Sequence, residues 1–261
     1  MLAGKSALIT GSLGGIGYAV AEALAAQGCA VMLNGFAAPD VIAERVASLR
    51  GRFGVQAEHH GADLRDAAQI ATLVGAARTA LGGPDILVNN AVVRYFAPVE
   101  EFAAEHWNEA LAVNLSAPFH AIRSAVPQMR ATGWGRIVNI ASIYGLFATV
   151  NRVDYVTTKT GLIGLTRAVA LEVAASGVTC NAICPGTVLT PAIDRRIDAE
   201  AARTGRSRAE TEAGFLGTRQ PSGRFVKAES VAALAAFLCG PAGSDVNGAA
   251  LPIDGAWNAG R

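Results

Sequence analysis

The sequence predicts an α/β fold in which a doubly wound parallel sheet of about seven strands carries helices on both faces. Short apolar segments alternate along the chain with longer segments whose apolar residues recur at helical spacing. Several of the short segments are apolar throughout, as expected for strands covered on both faces. No shift of composition marks a boundary, so residues 1–261 are predicted to form one domain.

The predicted strands and helices follow one another from SALIT near the start to ALPID near the end. In chain order the strands are 6–10, 30–34, 55–60, 85–90, 135–142, 178–185 and 250–254. Between them, apolar residues recur at i, i+3 and i+4, the spacing of one helix face. The helices are 15–27, 39–51, 66–81, 105–131, 155–175 and 229–239. Residues 187–225 break this rhythm because they are polar and charged, and we interpret them as a lid segment over the functional site.

The charge balance and the cysteines limit the possible classes of function. There are 22 Lys and Arg against 21 Asp and Glu, without a basic stripe or polybasic run, which argues against nucleic acid and anionic membranes as partners. The four cysteines match neither a metal or redox motif nor a disulfide framework, and the four histidines form no ligand cluster, so no metal is predicted. The N-terminal apolar run is too short for a signal peptide, and we expect a cytoplasmic protein.

The stretch TGSLGGIG, residues 10–17, follows the first strand and opens the first helix. Gly11, Gly15 and Gly17 allow a tight turn and let a pyrophosphate approach the helix N-terminus, where free amides favour an anion. A glycine-rich loop alone is often a plain turn. Its place after the first strand of a doubly wound sheet makes it a dinucleotide-binding signal.

Polar residues stand near the ends of the later strands. Asp63 is expected either to bind an adenine amino group or to cap the helix over 66–81. The buried asparagines of NNA (89–91) and Asn114 are expected either to satisfy backbone hydrogen bonds or to serve a site. Ser142 ends the fifth strand at the carboxyl edge of the sheet, where ligands bind in such folds.

YVTTK, residues 155–159, places a phenol and an ammonium on one face of a helix. An isolated pair of this kind is usually a solvated surface pair. The alternative is that Lys159 stabilises the phenolate of Tyr155, so that the phenol exchanges protons near neutral pH.

Taken in order, TG-x-x-x-G-I-G, NNA, Asn114, Ser142, Y-x-x-x-K and PG at 185–186 resemble the short-chain dehydrogenase/reductase family over essentially the whole chain. The resemblance implies a Rossmann-type sheet, with Tyr155 as general acid/base and Lys159 assisting it and holding the nicotinamide ribose. It also implies that Ser142 holds the substrate oxygen and that Asn114 anchors a proton-relaying water.

The same resemblance assigns a set of cofactor contacts. They are Gly11, Leu13, Gly15, Ile16, Gly17, Phe36, Asp63, Leu64, Asn90, Ala91, Tyr155, Lys159, Pro185, Gly186, Val188 and Thr190. One departure is Val92, where the family usually has glycine after NNA, and which places a Cβ near the cofactor ribose. Neither SLGG nor LNGFAAPD supplies a cation for a ribose phosphate, and Phe36 is suited to pack against adenine, so NAD is the predicted cofactor.

Within the family, LNGF, GADL, NAICPG and TRQPS are similar to segments of bacterial D-3-hydroxybutyrate dehydrogenases. Those enzymes grip the carboxylate with glutamine, histidine, lysine and glutamine where this chain has Arg94, Tyr144, Arg152 and Arg196. A tryptophan there stands where this chain has Thr187. The three arginines are each read either as solvated cations or, together, as a grip on a carboxylate, sulfonate or phosphate.

The sequence therefore predicts an NAD-dependent dehydrogenase of an acidic secondary alcohol related to but distinct from 3-hydroxybutyrate. The alternatives are an NADPH-dependent 3-oxoacyl or neutral-ketone reductase and, from another class, a catalytically idle nucleotide-binding sensor. The helices 105–131 and 155–175 carry more apolar surface than one sheet face needs, and family members pair them, so a homotetramer is expected. The substrate itself and the direction of the reaction stay open.

Overall fold

The computed structural model describes residues 2–260, apart from the side chains of Ala192 and Thr218. Its seven strands are β1 Ser6–Ile9, β2 Ala30–Asn34, β3 Ala57–His60, β4 Ile86–Asn89, β5 Gly135–Ile140, β6 Val178–Pro185 and β7 Ala250–Ile253. They form one parallel sheet in the order β3-β2-β1-β4-β5-β6-β7. The strand order reverses between β1 and β4, which is the point where doubly wound sheets bind ligands beyond their carboxyl ends. The predicted fold class is confirmed.

Helices cover both faces of the sheet. They are α1 Gly15–Ala25, α2 Pro39–Phe53, α3 Ala67–Leu81, α4 Ala104–Leu111, α5 Ala117–Thr132, α6 Val153–Val173, α7 Pro191–Thr204, α8 Arg208–Leu216 and α9 Ala228–Cys239. Helices α1 and α9 pack together over one face, and their buried side chains join those of β1, β2, β4 and β5 in one core. Helices α3, α5 and α6 contribute to a second core on the other face.

The predicted helix 105–131 is interrupted. A π-helical turn, Ala112–Ser116, separates α4 from α5 and carries Asn114, which is 1% exposed. Single π turns inside α-helices often occur at functional sites. The apolar periodicity runs through this turn without a break, so the turn could not be predicted from the sequence.

The lid segment contains more regular structure than its composition suggested. Helices α7 and α8 both begin at a hydroxyl cap: Thr190 for α7 and Ser207, in a capping box with Glu210, for α8. The two ends of the segment meet where Val226 N donates to Thr187 O at 2.9 Å. The segment therefore leaves the sheet edge and returns to it at nearly one point. Among the helices in residues 2–260, none is long and apolar enough to cross a bilayer.

Candidate active site

A cavity of about 590 Å³ opens beyond the carboxyl ends of β4, β5 and β6, beside the start of α1. Most of the predicted catalytic and substrate residues and half of the predicted cofactor residues line it. These residues are Ile16, Asn90, Arg94, Ser142, Tyr144, Arg152, Tyr155, Lys159, Pro185, Gly186, Thr187, Val188, Thr190 and Arg196.

The glycine loop is packed too tightly for side chains. A Cβ on Gly17 would lie 2.5 Å from Asn90 Nδ2 and closer still to the Gly11 carbonyl oxygen. Gly11 and Gly15 have positive φ of 61° and 55°, which glycine adopts without strain. No side chain caps the N-terminus of α1 and its first turn carries no acid, so its free amides can receive an anionic group.

Asn90 fixes the glycine loop against the turn after β4. Its Nδ2 donates to the carbonyl oxygens of Thr10 at 3.0 Å and Gly11 at 2.8 Å. In return, Thr10 Oγ1 accepts from the backbone amides of Asn90 at 3.0 Å and Ala91 at 3.1 Å. The two loops that face the predicted cofactor are thereby held as one unit.

Ser142, Tyr155 and Lys159 meet at the floor of the cavity. Each is at most 9% exposed. Ser142 reaches the cavity from the loop after β5, and Tyr155 reaches it from the first turn of α6. Ser142 lies two residues beyond β5, where its Oγ accepts from Tyr144 N at 3.1 Å. Lys159 Nζ lies 5.7 Å from the centroid of the Tyr155 ring and donates to the Ile140 carbonyl oxygen at 2.8 Å.

The surroundings of Lys159 disfavour its positive charge. Its pKa is lowered from 10.5 to about 7, mainly because burial disfavours the ammonium and secondarily because of the positive charge of Arg94. A group that accepts hydrogen bonds near Nζ would favour the charged form.

Asn114 lies outside the lining of the cavity and serves the backbone. Its Oδ1 accepts from Val93 N at 2.9 Å and its Nδ2 donates to Val93 O at 3.0 Å. A weaker bond of 3.4 Å reaches Thr158 Oγ1, one residue before Lys159. Of the two interpretations left open by the sequence, the structure shows backbone satisfaction, and a bound water stays a prediction. Val92 lines the cavity with φ in the ordinary range, so its Cβ strains nothing at this turn.

The three arginines singled out from the sequence line this one cavity. The guanidinium carbons of Arg94 and Arg152 lie 6.0 Å and 5.3 Å from the centroid of the Tyr155 ring. Arg152 also stacks on Phe96 at 3.6 Å, and Arg196 approaches the same ring at 5.9 Å. Burial lowers the pKa of Arg152, and its Nη1 is buried without a hydrogen-bond partner among the described residues.

Several lining residues were not predicted from the sequence, and four of them have aromatic or cationic side chains: Phe96, Phe215, Arg219 and Trp257. Trp257 is 5% exposed and packs edge-on against Tyr144, with ring centroids 5.3 Å apart. Its position after β7, at the same sheet edge as the motifs, was a usable signal. Arg219 lies in the TRQPS segment, whereas nothing in the sequence pointed to the two phenylalanines.

Several predicted cofactor residues lie outside the cavity. One interpretation of Asp63, that it caps the following helix, is wrong. Helix α3 begins at Ala67, and the residue directly before it, Asp66, is the cap that accepts from Ala68 N at 2.8 Å. Asp63 instead forms a salt bridge of 2.6 Å with Arg65, and its adenine role stays a prediction. Leu64 lines a second cavity of about 290 Å³, and Phe36 is 72% exposed beyond β2. Leu13 packs close to Gly35, since a Cβ placed on Gly35 would lie 3.3 Å from the Leu13 side chain.

Other chemistry is sparse in the part of the chain that the structure describes. It contains no group of three or more His, Cys, Asp or Glu side chains placed to hold a metal ion. The four cysteines are buried, and burial raises the pKa of each thiol.

The chain is similar to known proteins over nearly its full length. Residues 5–201 match the family model described as short chain dehydrogenase. D-beta-hydroxybutyrate dehydrogenases from Cupriavidus necator and Rhizobium meliloti are 43% and 44% identical to it, over 98% of this chain and 99% of each relative. A crystal structure of L-sorbose reductase from Gluconobacter frateurii, complexed with NADPH and L-sorbose, is 31% identical with a TM-score of 0.94 and covers 98% of this chain and 97% of that one.

Proposed function

We propose that this chain, which belongs to the short-chain dehydrogenase family, uses NAD to interconvert the secondary alcohol of an acidic hydroxy compound and the corresponding ketone. The compound is related to but distinct from 3-hydroxybutyrate. Membership of this family makes the chain an NAD(P)-dependent oxidoreductase that acts on CH–OH groups. The observation that carries the acidic substrate is the lining of the cavity. Arg94, Arg152 and Arg196 line the same space as Ser142 and Tyr155, and no Asp or Glu of the described residues lines it.

Tyr155 is the residue placed to move the proton. Its ring is 9% exposed on the cavity floor, so its hydroxyl reacts with a bound alcohol and little with bulk water. Lys159 beside it favours the phenolate when charged, which lets the phenol take the alcohol proton in one direction and protonate a carbonyl in the other. The Ser142 hydroxyl hydrogen-bonds the reacting oxygen and orients it.

The residues at the start of α1 fit a nicotinamide dinucleotide. The tight Gly11–Gly17 turn and the uncapped amides suit its pyrophosphate, and Lys159 lies within the cavity where the nicotinamide half would be held. When bound, the cofactor accepts or returns the hydride of the carbinol carbon. This fit is the same for NAD and NADP.

The end of β2 supports NAD over NADP. The chain continues there with Gly35, Phe36 and Ala37, and the glycine loop opposite carries Ser12 and Leu13, so neither supplies a cation for a ribose phosphate. Asp40, in the first turn of α2, is the nearest acid along the chain and would oppose such a phosphate.

An NADPH-dependent ketone reductase is the second candidate. It is favoured by the likeness to the L-sorbose reductase, whose structure contains NADPH and a neutral sugar. The two candidate functions are separated by measuring initial rates with NAD and with NADP at equal concentration. The substrates are a panel of hydroxy acids, sugar acids, sulfonates and neutral alcohols. We expect NADH formation on acids; faster turnover of neutral substrates with NADP would refute the proposal.

We further propose that the chain assembles as a homotetramer through α5 and α6. Leu171 on α6 is 82% exposed and Phe119 on α5 is 47% exposed, an apolar surface on two neighbouring helices that a second copy would cover. Light scattering at micromolar concentration tests this, and a monomer would contradict it. A Leu171→Glu variant should shift the mass downward, whereas Leu189→Glu, on the lid segment, should not.

A further inference from the structure

We propose that the substrate carries two acidic groups, one bound by Arg94 and Arg152 beside Tyr155 and the other bound by Arg196 and Arg219 of the lid segment. This inference rests on the proposed function, that an acidic hydroxy compound reacts at Tyr155. It names the substrate class as a hydroxy diacid. A monoacid of the 3-hydroxybutyrate type would occupy only the inner pair.

The charge of the cavity exceeds what one carboxylate neutralises. Four arginines and Lys159 line it, and the described lining residues include no Asp or Glu. Within residues 2–260, none of the four arginines forms a salt bridge. A carboxylate pairs in bidentate fashion with one guanidinium and reaches a second, which would leave the other two without a counter-charge.

The chain does not lack acids near the lid arginines. On the same helix as Arg196, Arg203 pairs with Glu200 at 2.7 Å. Arg208 on α8 pairs with Asp194 and, at 2.5 Å, with Asp198, both on α7. Arg203 and Arg208 are thus matched with carboxylates, whereas the other lid arginines form no salt bridge within residues 2–260: Arg195, Arg196, Arg206, Arg219 and Arg224. Of these five, Arg196 and Arg219 line the cavity. Their counter-ion is expected to arrive with a ligand.

The inner site already shows the need for an anion. Arg152 Nη1 is buried without a partner, which costs free energy that a bound carboxylate would recover. Asp154, two residues further along the chain, accepts from Tyr95 N through its Oδ2 at 3.3 Å, and within residues 2–260 it forms no salt bridge with Arg152.

The two cationic sites share an apolar contact. The Phe96 ring is 59% exposed, with the guanidinium of Arg152 at 3.6 Å and that of Arg196 at 5.9 Å from its centroid, and Phe215 lies 5.4 Å from Arg196. A short carbon chain lying against Phe96 would bring one carboxylate to each of these arginines. The cavity of about 590 Å³ has room for such a chain beside the nicotinamide.

The test measures binding, so it does not depend on knowing the hydroxy acid. Calorimetry of the enzyme saturated with its preferred reduced cofactor compares glutarate and adipate with their monoamides and diamides. We expect at least one diacid to bind about ten- to hundredfold more tightly than its own monoamide, the range for one hydrogen-bonded charge. Arg196→Gln should reduce this ratio, and Arg203→Gln, whose side chain is paired on the outer face of α7, should leave it unchanged.

The outcomes separate the two proposals. If the diacids bind no more tightly than their monoamides, while the monoamides bind more tightly than the diamides, the two-acid inference is overturned and the proposed function stands. Equal binding of diacids, monoamides and diamides overturns both. A diacid preference that survives in an Arg196→Gln, Arg219→Gln double variant overturns the assignment of the outer site to the lid.

Discussion

Lys159 should make the stability of the unliganded chain rise with pH between about 6.5 and about 8.5. Its folded pKa of about 7 lies below the value of 10.5 for the free side chain. Between these two values the unfolded chain holds the proton that the folded chain has released, so the free energy of unfolding increases with pH. The destabilisation caused by burying the charged ammonium of Lys159 is fully present below the folded pKa and absent above the unfolded pKa. Over this window the gain is about 2 kcal/mol.

The upper limit of the window is set by the cysteines. Burial raises the pKa of the Cys180 and Cys239 thiols to about 12, and the other two thiols are shifted in the same direction. Near pH 8.5 the thiols of the unfolded chain, whose ordinary pKa is 9.0, already begin to ionise while the folded ones stay neutral, so the four thiols offset part of the gain there and more of it as pH rises further. Measurements above this limit would mix two effects of opposite sign.

Urea unfolding at about pH 6.5 and about pH 8.5, without nucleotide, provides the measurement. The wild type should gain stability between the two, and Lys159→Met should lack most of that gain because methionine fills similar space without a charge. Arg94→Gln should reduce the gain, since removing the neighbouring positive charge raises the pKa of Lys159. Equal gains in the wild type and in Lys159→Met would refute the reasoning.

Other variants test the site directly. Tyr155→Phe should lower kcat by about 10²–10⁴-fold with NADH affinity nearly unchanged, as seen by fluorescence titration. Gly17→Ala should abolish nucleotide binding, because its Cβ would collide with Asn90 and Gly11, whereas Gly14→Ala, which has open space, should retain it. Arg152→Gln should cost about 1.5–3 kcal/mol in kcat/KM for an acid and little for its amide. Proteolysis within 187–225 should slow when cofactor and a diacid are both bound.

The fold could be predicted because its signals are local and repeated. A strand such as VTCNAICP is mostly apolar and is buried at every position of β6, as expected for a sheet covered on both faces. Polar motifs placed just after such strands must meet at one edge, and that is where the structure brings Asn90, Ser142 and Gly186 together. Parallel topology therefore turns sequence order into spatial proximity.

The parts that were missed depend on packing between distant segments. The π turn around Asn114 has no composition of its own, and Asp63 and Asp66 are equally good caps until the first helical residue is known. Phe96 lies in a loop without periodicity, and its contact with Arg152 is a property of tertiary structure alone.

Hydrogen bonds to the residues on both sides of Arg94 give its loop a rigid support. Val92 occupies its turn without strain, Asn114 makes two hydrogen bonds to Val93, and Tyr95 N donates to the fully buried Asp154, one residue before Tyr155. Residues on both sides of Arg94 are therefore tied to buried groups, and the hydrogen bond to Asp154 leads directly to α6. An arginine that was only a solvated surface cation would not require its loop to be held in this way, since exposed cations gain little from a fixed position. A guanidinium that must meet a carboxylate within a hydrogen bond of a reacting phenol does require it, because a small displacement of a binding group is costly in catalysis.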